Sequence, residues 1–139
     1  MNQNSNEKLK PDIKSLLPIT ILPDKSLVYE NFRILKNRNE DYELRHLKGR
    51  NLIDKFRTKT AALLAAKFYK TKDFNRYNQV VNLDSKYYHN LTDAQLYKFK
   101  VKNTQDHDKK DTLQWRLEVS EQRVSYYKEQ ISQLFKTYF

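Results

Sequence analysis

The chain has 139 residues, a formal net charge of +10, 38% hydrophobic residues, one glycine, three prolines and no cysteine. That length holds one domain, or one small domain with an attached arm. Without cysteine there are no disulfides, thiolate nucleophiles or cysteine–zinc sites, and no apolar run approaches the ~18 residues of a membrane span.

The start, MNQNSNEKLK, lacks the apolar core of a signal peptide and is not Arg-rich and acid-poor like a transit peptide, so an intracellular protein is expected. Sheets need glycine at tight turns, and phosphate-cradling loops need it for close backbone approach. A single glycine, Gly49, and no proline after Pro23 therefore predict an all-α fold.

Residues 1–10 read as a disordered tail. Pro11, Pro18 and Pro23 then forbid a continuous helix. Leu16, Leu17, Ile19, Ile21 and Leu22 between them are too apolar for a solvated linker. Residues 1–23 thus predict a tail and an extended docking segment, lying in a groove of its own chain or of a partner.

Asp24 or Ser26 can cap a helix starting near Leu27. Val28, Phe32, Leu35, Asn39, Tyr42, His46, Gly49, Ile53, Phe56, Thr60 and Leu63 follow at spacings of three and four. Such a series predicts a long amphipathic helix, or a helix pair broken near Gly49, within a basic helical region over 24–90. TAALLAAKFYK has high helix propensity, and Ala61, Ala62, Ala65 and Ala66 would let another helix approach closely.

The charge is uneven. Residues 45–90 hold eleven basic and three acidic side chains, whereas 1–44 hold seven of each and 91–139 hold nine and seven. Concentrated positive charge suits a polyanion, although a solvated lysine-rich face would read the same way. The candidate nucleic-acid contacts are Arg45, Lys48, Arg50, Lys55, Arg57, Lys59, Lys67, Lys70, Lys72, Arg76, Lys98, Arg123, Lys128 and Gln130. Within KFYKTKDFNRYNQ, Phe68, Tyr69, Phe74 and Tyr77 alternate with bases and could stack on nucleobases or belong to the core.

In the last third, Thr92 and Gln95 form a capping-box pattern. LYKFKVK also alternates at period two, but the cap favours a helix carrying Leu96 and Phe99. Asp108 or Asp111 can cap a second helix with Leu113 and Leu117, and Ser120 a third with Val124, Tyr127, Ile131 and Leu134. A continuous coiled-coil seam through Leu117, Ser120, Val124, Tyr127, Ile131 and Leu134 is the competing reading.

Leu91, Thr92, Gln95 and Leu96, then Leu113, Leu117 and Val119, then SEQRV (Ser120–Val124) and Tyr127 together resemble the homeodomain. The resemblance spans Leu91 to Lys136 and implies a C-terminal three-helix homeodomain-like bundle over 91–139. Gln130 stands where that family has an adenine-reading Asn, and Ser132 where it commonly has a phosphate-contacting Arg. Glu129 would carry a carboxylate into the groove. The resemblance therefore implies a recognition helix in shape more than in chemistry. It further implies a nuclear, homeobox-like accessory subunit of a DNA-modifying assembly, such as an adenine N6-methyltransferase complex.

Nothing points to catalysis. There is no Gly-rich nucleotide or S-adenosylmethionine loop and no Asp/Asn-Pro-Pro-aromatic motif, and His46, His89 and His107 lack metal or acid–base spacing. The expectation is a non-catalytic DNA-binding or scaffolding subunit. It would work with other protein subunits and duplex DNA, without a cofactor, membrane or small-molecule ligand. A coiled-coil structural subunit and an RNA-binding module are the alternatives.

Overall fold

The computed structural model describes residues 19–139. Among the described residues five strands precede the helices: β1 (Ile19–Ile21), β2 (Leu27–Tyr29), β3 (Phe32–Lys36), β4 (Tyr42–His46) and β5 (Leu52–Phe56). Each pairs antiparallel with its successor, so spatial order equals chain order. Three helices follow: α1 (Lys59–Lys70), α2 (Phe74–Asn103) and α3 (His107–Tyr138).

The all-α expectation is overturned, because residues expected in a long helix over 24–56 form the sheet. The series at three-and-four spacing draws from both sheet faces, taking Phe32, Tyr42 and His46 from one and Val28 and Leu35 from the other. The operative period is two. Glycine scarcity is a poor guide for a separate reason. Lys25, Glu30, Glu40 and Arg50 adopt φ of 69°, 53°, 66° and 58° beside Gly49 at 80°, so ordinary residues hold left-handed turn positions.

Side chains supply the turn chemistry. Asp24 accepts hydrogen bonds from the amide and hydroxyl of Ser26 in the β1–β2 turn rather than capping a helix. Asn37 Oδ1 accepts from the amides of Asn39 and Asp41 between β3 and β4.

Leu27, Tyr29, Phe32, Ile34, Leu44 and Phe56 line the inner face of the sheet. They pack against α1, whose four alanines are fully buried as close packing requires, and against Val80 and Ile131 of the long helices. α1 lies between sheet and hairpin, with Leu63, Leu64 and Phe68 also buried.

The expected three-helix bundle over 91–139 is likewise overturned. Thr92 lies inside α2, and α3 starts at the N-cap Asp106 and continues through Glu118–Ser120 without a turn. Ser120 is buried on the α3 seam instead of capping a helix. The two helices, about 45 Å and 48 Å long at 1.5 Å per residue, form an antiparallel hairpin. Between Tyr87 and Ile131, no hairpin residue joins the main core. That outer part is an arm held mainly by its own seam, in which Asn90, Ala94, Leu117 and Ser120 are buried.

Of the expected docking segment, Ile19 sits on the edge strand against the core, Ile21 is 52% exposed and Leu22 is half-buried at the turn. Leu16, Leu17, Pro11, Pro18 and the tail over 1–10 lie outside the described residues.

Candidate nucleic-acid interface

Among the described residues no helix covers the outer face of the sheet, and its composition follows from the strand register. One row across the strands runs Thr20, Val28, Arg33, Arg45, Leu52. The next runs Leu35, Glu43, Lys55. Arg33 and Arg45 are therefore direct cross-strand partners, a juxtaposition of like charges that opposes pairing. Arg33, Leu35, Glu43, Arg45, His46 and Arg50 line a shallow hollow of about 290 Å³ here.

Both guanidiniums are held from behind. Arg33 Nε donates to Ser26 Oγ at 3.1 Å, and its Nη2 pairs with Asp24. Arg45 Nε donates to Glu43 Oε1 at 2.8 Å, and its Nη1 donates to the Arg50 carbonyl at 2.7 Å. The Ser26 hydrogen bonds, then Arg33, hold the Asp24 carboxyl below its ordinary pKa. Hydrogen bonds from Asn37 and then Arg45 do the same for Glu43. Both carboxylates stay ionised and keep the arginines oriented. Lys48 and Arg50 are exposed in the β4–β5 turn, and Lys55 is exposed on the open face.

The other candidate residues divide. Arg57 pairs with Asp41, stacks over the Tyr88 ring at 4.1 Å, and gives its amide to Asp84. Lys67 lies over Phe139, Lys70 pairs with Glu30, and Arg76 pairs with Asp73 and lies over Tyr138. Lys59 and Lys72 are exposed. Lys98 and Arg123 are exposed on the arm, where Gln130 is half-buried. Lys128 borders a separate hollow of about 250 Å³ with Thr58, Thr60, Tyr87, Ile131, Ser132 and Phe135. These four hairpin residues do not join the sheet cluster.

Of the aromatics interleaved with bases, Phe68 is buried, Tyr69 and Tyr77 pack against the core, and Phe74 is 52% exposed. Tyr77 also donates to Asp54 at 2.8 Å, and burial raises its pKa.

Arg33 is not among the contacts expected from the sequence. The signal for it is the alternation of apolar and charged side chains over 32–34 and 42–45, flanked by the turn-forming stretches NRNED and KGRN.

His46 packs beside Phe32 and Tyr69, while His89 and His107 pair with Asp93 and Asp111 one helical turn away. Among the described residues no His, Cys, Asp and Glu cluster suits a metal, and no helix is long and apolar enough to cross a membrane. No protein-family model, characterised protein or solved structure matches the chain.

Proposed function

We propose that the protein is a non-catalytic, duplex-DNA-binding and scaffolding subunit. The open sheet face holds the DNA, and the helical arm presents itself to protein partners. One observation carries this reading: Arg33 and Arg45 face each other on a sheet face that no helix covers among the described residues, each pre-oriented by a carboxylate. Lys55, Lys48 and Arg50 extend the positive surface around the pair, which suits a polyanion. The scaffolding half draws on the arm, where Phe99 and Trp115 are each 65% exposed.

The adenine N6-methyltransferase setting and the nuclear location entered with the homeodomain resemblance, and with α3 unbroken the fold lends them no support. Stacking on single-stranded RNA loses ground because three of the four interleaved aromatics pack inward.

Charge reversal tests the reading. Arg33→Glu, Arg45→Glu and Lys55→Glu together should weaken duplex binding and flatten its salt dependence, by about 0.9 in log–log slope for each phosphate no longer neutralised. Reversing Lys98, Lys100 and Lys102 on the arm should leave the slope in place. An undiminished slope in the sheet variant, with its circular dichroism intact, overturns the proposal.

A further inference from the structure

The hydrogen bonds that hold Arg33 leave one edge of its guanidinium available. Ser26 and Asp24 occupy the Nε–Nη2 side, so Nη1 and the outer proton of Nη2 make no hydrogen bond among the described residues. Arg45 is engaged through Nε and Nη1, leaving Nη2 without a partner among the described residues. A phosphate-neutralising surface needs only mobile charge, which lysine supplies. The Nη1–Nη2 edge of Arg33, locked in orientation by Asp24, instead matches a planar pair of acceptors, and Nη2 of Arg45 adds a single donor beside it.

Arg38 lies in the β3–β4 turn, and Lys48 and Arg50 lie in the β4–β5 connection, at opposite ends of the strands. Those three can reach phosphates beyond either end of the strands while Arg33 and Arg45 face the duplex between them.

We infer that Arg33, held in register by Asp24, reads guanine O6 and N7 in the major groove, while Arg45, held by Glu43, donates singly to a neighbouring acceptor. The inference rests on the duplex-DNA reading of this face, and the experiment separates the two. Selection from a randomised duplex pool with the full chain should enrich sites with a guanine at a fixed position. Replacing that guanine by 7-deazaguanine, which lacks the N7 acceptor and leaves the protein untouched, should weaken binding about tenfold or more.

Arg33→Lys with Arg45→Lys should keep the salt slope and bulk affinity but lose the preference. Duplex binding without guanine enrichment, or indifference to 7-deazaguanine, overturns the inference and leaves the DNA reading standing. A preference that survives in the lysine variant also overturns it. No duplex binding even at low salt removes both.

Discussion

The Asp84 carboxylate on α2 accepts hydrogen bonds from both the amide and the hydroxyl of Thr58, the N-cap of α1, at 3.1 and 3.0 Å. The Arg57 amide adds a third at 2.7 Å. The Thr58 hydroxyl in turn accepts from the Ala61 amide. A single buried side chain thus fixes where β5 ends, where α1 starts and how α2 docks on both.

Asp84→Ala should cost about 2–3 kcal/mol, because three donors lose their acceptor in a buried place. Asp84→Asn should also destabilise, since its amide nitrogen meets an N–H donor. Urea denaturation measures both.

Burial raises the Asp84 pKa above its ordinary 3.8, against the pull of its hydrogen bonds and Arg57. The fold therefore favours the neutral form. Its stabilising contribution is complete below the unfolded pKa and declines as pH rises through the folded one. The advantage of the wild type over Asp84→Asn should narrow across that interval in denaturation curves.

Glu43 has the opposite sign. Its pKa is lowered from 4.5 by hydrogen bonds from Asn37 and Arg45. The stability it contributes is present above the unfolded value and lost as pH falls through the folded one. Glu43→Gln should remove this part of the acid sensitivity, read as a shallower decline in melting temperature on acidification.

Glu40 holds a left-handed φ of 66° in the β3–β4 turn, and its ion pair with Lys36 is exposed. Glu40→Gly should stabilise the fold by about 1 kcal/mol, because glycine takes that conformation without a Cβ penalty. A lower melting temperature would count against the strained turn.

The unbroken α3 is directly testable. Amide and Cα shifts should remain helical through Glu118, Val119 and Ser120. Val119→Pro should cost roughly 3 kcal/mol or more, as proline does inside a helix. A tolerated proline there would restore a turn.

Some of this is readable in the residues themselves. The helix over TAALLAAKFYK, the basic bias of the middle third and the heptad seam from Leu117 to Leu134 depend on local propensity and spacing, which one segment carries alone. Thr58 and Asp73, the N-caps of α1 and α2, are ordinary capping residues, hidden in the sequence because the three-and-four series runs straight past the first of them.

The sheet is harder to see. Its strands are three to five residues long, too short for alternation to outweigh a coincidental three-and-four series. Its left-handed turn positions are filled mostly by Lys, Glu and Arg, so the usual glycine punctuation is missing.

Sequence by itself determined the charge, the missing thiols, the helix-forming stretch of α1 and the periodic seam of α3. Tertiary structure alone decided what that seam packs against, since a heptad stripe is equally satisfied by a separate chain, a short bundle or the preceding helix. It also decided which of the many cations share a surface. Strand register sets Arg33 opposite Arg45, twelve positions apart in the chain, while Lys67, Lys70 and Arg76 are drawn to partners of their own. Side-chain adjacency across a sheet depends on pairing between segments, which no single stretch encodes.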